Sequence, residues 1–270
     1  FLAGEDVAEA GSVYGYCGGL LDEFGSRRVI DTPISEKGIM GLGVGASATG
    51  CRPIIDLMFM DFLGECMDEV ANQMAKMRFM FGGKATLPVT VLTMGGAGGG
   101  MAAQHSQSLE AWLAHLPGMK VVMPSDAYDA KGMIIAASRD DNPVFVVLNK
   151  QSLAMSMEVP EESYEVPIGE AIVRKQGTDL TIVAFGRMVH EALDAAEQLK
   201  DVGLNVEVID ARSVQPFDTA TVVASIKKTH RALIVHEAVK FGGIGGEITA
   251  QIQEEAFDYL DAPVMRVAAP

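Results

Sequence analysis

The chain has 270 residues, enough for about two domains of ordinary size. It is 49% apolar and 21% charged with few aromatics, a globular rather than a disordered composition. Lys and Arg number 21 against 36 Asp and Glu, a net charge of −15, which argues against nucleic acid and anionic membranes, because both attract proteins mainly through phosphate.

In chain order, Thr32-Pro33 reads as an N-cap followed by proline at the first helical position. The helix behind it carries Gly38, Gly41 and Gly45. Each glycine costs a helix about 1 kcal/mol relative to alanine, so the stripe predicts close approach of another backbone or a flat ligand. Residues 64–81 set Met67, Val70, Met74 and Met77 on one helical face, closed by Gly82-Gly83. A strand is expected at Val89 to Met94, then a glycine loop from Gly95 to Gly100. A helix near Ser108 to His115 and a strand at Lys120 to Met123 follow. Ser125 or Asp126 caps a helix ending near Arg139, and Pro143 leads into a strand at Val144 to Leu148.

The segment Glu158 to Pro167, with two prolines, four glutamates and no period, reads as a linker between units 1–157 and 168–270. Beyond it, strands are expected at Leu180 to Phe185, Val206 to Ile209, Ala232 to Val235 and Val264 to Val267. Helices are expected at 188–200, from Asp218 to about Lys228, and from Glu247 to Phe257. Strands alternating with helices of this length predict an α/β fold with two parallel-sheet domains.

Cys17, Cys51 and Cys66 form no CxxC, an odd and sparse set that fits a reducing, cytoplasmic compartment. No apolar run reaches the roughly 18 residues of a spanning helix, and no signal peptide is visible. The chain starts without Met and stops at Ala268-Ala269-Pro270, so both ends are expected to be trimmed or disordered, with the second unit incomplete at its end.

Gly43 to Ala48 matches GxGxxA, but a dinucleotide site needs a strand directly before it, so helix packing is the preferred reading. The Gly95–Gly100 loop lacks the Lys-Ser/Thr of a P-loop, and Gly242 to Gly246 reads as a tight turn. No histidine pair has zinc-hydrolase spacing. His115 ends a helix, His190 lies within an expected surface helix, and His230 precedes a strand. His236-Glu237 sits at a strand end, which one pair alone does not make a site. His105, in a polar segment after the glycine loop, is a functional candidate on which residue pattern alone does not decide. Glu36 is also open: an acid in a helix's first turn suits the dipole, yet Ile34, Ile39, Met40 and Leu42 around it suggest a desolvated carboxyl able to carry a proton.

Several blocks occur in order: Gly4-Glu5-Asp6-Val7, Asp31-Thr32-Pro33-Ile34-Ser35-Glu36, Arg52-Pro53 and Met80-Phe81-Gly82-Gly83-Lys84. They continue with Ala103-Gln104-His105-Ser106-Gln107, Asp129-Ala130-Lys131-Gly132, Arg139-Asp140-Asp141-Asn142-Pro143 and Gly186-Arg187-Met188-Val189. Over essentially its whole length the chain resembles the β subunit of the thiamine-diphosphate-dependent component of 2-oxo acid dehydrogenase complexes. Within that family it looks closest to the acetoin dehydrogenase branch, with the pyruvate branch near and the branched-chain branch further off. The uncharged loop Gly95 to Met101 and the segment Leu148 to Ser156 depart from the family pattern.

The resemblance implies a transketolase-like pyrimidine-binding domain followed by a transketolase C-terminal-like domain. It implies that Glu36 is the acid beside the cofactor's pyrimidine nitrogen, that Phe62 packs on the pyrimidine, and that His105 orients substrate and assists proton transfer during acyl passage to a lipoyl group. A monovalent-cation site, K⁺ in this family, maps to Val89, Ala137, Asp140 and Asn142. The superfamily's diphosphate and Mg²⁺ motif, GDG followed by asparagines, does not occur in this sequence. The resemblance therefore implies an α subunit carrying that half of the site in an α₂β₂ assembly, with a second β subunit. By analogy, the acidic second domain would dock a lipoyl-bearing acyltransferase core, and the glycine-striped helix would pack at a subunit contact. Two other readings remain in view: a non-catalytic α/β scaffold, and a self-sufficient thiamine enzyme of transketolase type.

Overall fold

The computed structural model describes residues 1–270. A first sheet contains β1 (Leu2–Gly4), β2 (Val29–Asp31), β3 (Ile54–Phe59), β4 (Thr90–Gly95), β5 (Lys120–Val122) and β6 (Val144–Asn149). A second contains β7 (Ile172–Lys175), β8 (Leu180–Ala184), β9 (Val206–Asp210), β11 (Ala232–Val239) and β12 (Met265–Ala269). The short β10 (Ser213–Gln215) is spelled by the second half of the chain but joins the first sheet. The orders are β10-β5-β6-β4-β3-β1-β2 and β12-β11-β8-β9-β7. Pairing is parallel throughout except at one edge of each sheet, where β10 runs against β5 and β7 against β9.

The central strands explain the order. Every residue of β4 (TVLTMG) and β6 (VFVVLN) is buried, as parallel strands covered on both faces must be. Helices cover those faces: α1 (Leu20–Phe24), α2 (Glu36–Ala48), α3 (Met77–Met80), α4 (Glu110–Ala114) and α5 (Ala127–Arg139) in the first half. In the second, α6 (Met188–Lys200), α7 (Thr219–Thr229) and α8 (Gly245–Ala256) do so. The caps are chemical. The carboxylate of Asp126 accepts from the Asp129 amide at 2.8 Å, and that of Asp218 from the Thr221 amide at 3.0 Å.

Two local expectations are corrected. Helix α2 starts at Glu36, with Ser35 as N-cap, and not at Thr32-Pro33. The Thr32 amide still donates to Gly4 O at 3.0 Å, which carries the ladder one residue past β2, into the turn that composition marks. Residues 64–81 are not one helix: a π-helical turn at Glu69–Met74 separates a 3-10 turn from α3. The apolar period survives this, since Val70 and Met74 are fully buried. The stripe Gly38, Gly41, Gly45 is exposed, and the tight contact falls on Gly43, where a Cβ would lie 2.7 Å from Ile55.

A polar seam joins the two halves. Buried Asp129 accepts two bonds from Arg212, at 3.0 and 2.7 Å, and also pairs with Arg174. Arg174 reaches Asp210 at 2.9 Å, and Ser125 donates to Asp210 at 2.6 Å. His190, expected on a surface helix, faces this seam instead, with Nε2 at 2.8 Å from Ser125 O. The Glu158–Pro167 segment has no helix or strand, yet it packs closely: a Cβ on Gly132 would meet Val166 at 2.5 Å.

Removing one partner of a buried ion pair strands the other charge, at about 3–5 kcal/mol. Asp129→Ala is therefore expected to lower the urea midpoint by an amount of that order, with Asp129→Asn falling between it and the parent. An unchanged midpoint for Asp129→Ala would show that the ion cluster carries no stability.

Candidate active site

In an open parallel sheet, ligands bind outside the carboxyl ends of the strands, where the βα connections leave. Four such connections carry chemistry here. The first leads from β2 to Glu36 at the start of α2. The second is the turn after β3, Met60–Gly64, which holds Asp61 and Phe62. The third is the loop after β4, which contains His105 in a single 3-10 turn, Ala103–His105. The fourth follows β6 with Lys150.

The end of β3 is shaped for this. Its pairing with β4 shifts register between Asp56 and Phe59. Met58 takes a left-handed backbone, φ +64°, held by its amide donating to Asp56 Oδ1 at 2.7 Å. Tyr16 donates to the other Asp56 oxygen at 2.5 Å, and burial raises the pKa of both groups. Such a bulge re-aims a side chain. Phe59 and His105 meet edge to face at 4.8 Å, Phe62 and His105 at 5.5 Å, and Phe59 and Phe62 at 5.6 Å.

The His105 loop is held from three sides. Asp61 Oδ1 accepts the amides of Ser106 and Gln107 at 3.1 and 3.0 Å. The Leu109 amide points at Met60 Sδ, 3.0 Å away. The buried ammonium of Lys150 donates to Gly96 O at 2.9 Å and to His105 O, and lies 5.2 Å over the Phe59 ring. Burial lowers the Lys150 pKa, while Asp61 and Glu237 oppose that shift.

Glu36 is half-buried beside Cys66, whose thiol is pushed up to about 12 by burial and then by the Glu36 and Glu69 carboxylates. Cys66 in turn points Sγ at Phe62 O, 3.8 Å away. The Glu36 carboxylate is thus within electrostatic reach of a thiol that lies one helical turn from Phe62, the aromatic that touches His105. Its expected apolar slot is half built. Ile39 and Met40 are buried, but Ile34 is 75% and Leu42 42% exposed, so the outer wall is open in this chain. An aromatic edge, a carboxylate and an imidazole beside exposed apolar side chains fit a flat heterocycle with a protonatable ring nitrogen. No group of three or more His, Cys, Asp or Glu stands ready to hold a metal ion.

Val89, Ala137, Asp140 and Asn142 come together at the opposite, amino ends of β4 and β6. Val89 O accepts from Val144 N at 2.9 Å, Ala137 O from Asp140 N at 3.1 Å, and Asp140 O from Arg52 at 2.9 Å. Asn142 donates from its side chain to Asp140 Oδ1 at 2.9 Å and accepts from Arg78 at 2.7 Å. Each carbonyl keeps a second lone pair for a cation.

Asp61, Phe59 and Lys150 were not separable from core and loop residues by pattern. The one signal was the departure of Leu148 to Ser156 from the family pattern. His236 is buried with both ring nitrogens unpartnered and packs against Gly243 and Gly245, so the Gly242–Gly246 turn is a packing device. His230 caps α7 in a left-handed conformation, φ +60°. The GxGxxA motif lies inside α2, as helix packing requires.

Glu110 is fully buried at the start of α4 with Oε2 unpartnered. Burial, with Glu237 adding to it, pushes its carboxyl from 4.5 up to about 7. The folded chain therefore keeps a proton that the unfolded chain releases, so this group's stability contribution falls as pH rises from about 4.5 to about 7. At about 1.4 kcal/mol per unit, the loss is on the order of 3 kcal/mol. Glu110→Gln is expected to match the parent's urea midpoint near pH 4.5 and to exceed it increasingly up to pH 8. Parallel pH profiles would contradict this.

Residues 1–155 match the family model described as "Transketolase, pyrimidine binding domain", and residues 169–270 match "Transketolase, C-terminal domain". The chain is 48% identical over 281 residues to the "Acetoin:2,6-dichlorophenolindophenol oxidoreductase subunit beta" of Bacillus subtilis (strain 168), covering 100% of this chain and 82% of that protein. It is 47% identical over 268 residues to the "Pyruvate dehydrogenase E1 component subunit beta" of the same organism, covering 99% and 82%. Among solved structures, a "Split gene transketolase, inactive beta4 tetramer" aligns with a TM-score of 0.79 at 25% identity, covering 99% of this chain and 81% of that one. With nearly half its residues identical to those subunits along its whole length, the chain belongs to the transketolase-like family of acetoin and 2-oxo acid dehydrogenase β subunits.

Proposed function

We propose that the chain is the β subunit of a thiamine-diphosphate-dependent acetoin dehydrogenase, an oxidoreductase that cleaves acetoin and passes the acyl group to a lipoyl carrier. The observation that carries this reading is the gathering of Glu36, Phe62 and His105 at the carboxyl edge of the first sheet, with Phe62 against the imidazole, in a member of this family. Thiamine diphosphate, when bound, supplies a nucleophilic carbon and an electron sink.

The chain's own residues have separate tasks. Glu36 holds the proton at the pyrimidine ring nitrogen, where an acid is needed. Phe62 packs on that ring, and with Phe59 it keeps water from the imidazole's flank. His105 orients the substrate oxygen and moves a proton to or from it. Asp61 and Lys150 fix the peptide on which His105 sits, so the imidazole is placed before substrate arrives.

The other half of the cleft is assigned to an α subunit bearing the diphosphate and Mg²⁺ site. The missing GDG motif supports this, as do the exposed Ile34 and Leu42 beside Glu36. The exposed glycine stripe of α2 suits close packing of subunits, a second β subunit included, in an α₂β₂ assembly. A K⁺ ion is assigned to the carbonyls around Val89, Ala137, Asp140 and Asn142. The lipoyl-bearing acyltransferase core docks on the second domain, and the sparse cysteines suit the cytoplasm. No helix is long and apolar enough to cross a membrane. A pyruvate dehydrogenase β subunit is the second reading, because identities of 48% and 47% do not separate the two branches.

The test is co-expression with the partner α subunit and a dye-reduction assay on acetoin and on pyruvate. Turnover of acetoin above pyruvate is the expected result. Glu36→Gln and His105→Ala should each reduce turnover by about 100-fold or more, with assembly intact by size exclusion. Full turnover in either variant, or no turnover of either substrate by an intact assembly, would overturn the assignment.

A further inference from the structure

We infer that Glu237, at the end of β11 in the second unit, is a positioning residue for the site: its carboxylate clamps the glycine loop that carries the His105 peptide. The residue lies 140 positions from that loop in sequence. Its Oε1 accepts the Ala97 amide at 2.6 Å and the Gly98 amide at 3.0 Å. Its Oε2 accepts Asn149 Nδ2 at 2.6 Å, and Asn149 Oδ1 accepts the Gln151 amide at 3.0 Å. One acid from the second sheet therefore joins the connection after β4 to the connection after β6.

From there the link to the imidazole is short. The ammonium of Lys150 binds Gly96 O and His105 O together, and the Gly96 amide donates to Gln107 O at 3.2 Å. Anything that frees residues 96–98 also frees the turn that holds His105. The loop's composition follows from this arrangement. Gly96 has φ +98°, and a Cβ there would lie 2.6 Å from Glu237 Oε2. A Cβ on Gly98 would collide with the Gln151 side chain. The loop Gly95 to Met101 has no charged side chain of its own, and the anchoring charge comes from the other sheet.

Because His105 is a site residue only under the function proposed above, the test reads loop order and turnover separately. In the assembled α/β enzyme, Glu237→Gln turns an amide donor toward Asn149 Nδ2 or toward the loop amides, and Asn149→Asp sets carboxylate against carboxylate. The double variant Glu237→Gln with Asn149→Asp restores the pairing with roles exchanged. The amide introduced at position 237 would donate to the new carboxylate, the loop amides would keep an acceptor, and the Gln151 amide would keep its own.

Hydrogen–deuterium exchange of residues 96–107 should rise by about 10-fold or more in each single variant and return to within about 3-fold of the parent in the double. The kcat should fall by about 10-fold in each single variant, with thiamine diphosphate affinity unchanged, and recover in the double. Glu237→Asp keeps the charge but withdraws the oxygens, and should raise the exchange alike. Unchanged exchange in Glu237→Gln and Glu237→Asp, or losses that simply add in the double variant, would overturn the inference. If the exchange behaves as stated while His105→Ala keeps full turnover, the clamp stands and the functional reading falls. If His105→Ala abolishes turnover while the Glu237 variants change nothing, the reverse holds.

Discussion

Parallel pairing forces the connections that follow successive strands to leave from one edge of the sheet. In this chain that single constraint gathers residues far apart in sequence: Glu36 after β2, Phe62 after β3, His105 after β4 and Lys150 after β6. Local chemistry then refines what topology delivers. The bulge at Met58, pinned by Asp56, turns Phe59 toward the imidazole. Asp61 and Lys150 grip the His105 peptide from two sides, one by its amides and one by its carbonyl. The charged groups of the site mostly bind backbone, which suits a loop whose task is to hold one ring in place.

The second half of the chain braces the first. It sends β10 into the first sheet and closes a buried ion cluster around Asp129. It also places Glu237 on the glycine loop. The seam is mixed: a buried apolar cluster runs from the first half into Phe185, Val214 and Ile244 of the second, and the directional bonds around Asp129 lie beside it. The outer wall beside Glu36 differs. Ile34 and Leu42 lie open there, as expected of a cleft that a different polypeptide completes.

The legible parts of the sequence were those set by local period and cap. Helices α6, α7 and α8 follow from apolar spacing, and the Asp218 carboxylate that starts α7 is visible in the sequence as a cap. Buried strands such as β4 and β6 follow from short runs rich in apolar and β-branched residues. The short β1 and β2 do not announce themselves, because three residues carry no period and exist as strands only through their neighbours. Thr32-Pro33 looks like a helix start because composition cannot see the ladder bond that Thr32 still makes to Gly4. In the site, Glu36 and His105 stand out through their unusual settings and the ordered family motifs. Asp61 and Lys150 do not, and Glu237 shows only as one of a strand-end pair, since a charged group that binds backbone amides or carbonyls leaves no spacing to read.

The central claim is that the carboxyl of Glu36 controls a proton on the cofactor's pyrimidine. The most direct measurement is the rate at which the thiazolium C2 proton of thiamine diphosphate, bound to the assembled α/β enzyme, exchanges with deuterated water. The parent enzyme should exchange it far faster than free cofactor does, and Glu36→Gln, with cofactor still bound, should bring the rate back toward the free value. A Glu36→Gln enzyme that exchanges as fast as the parent would contradict the account.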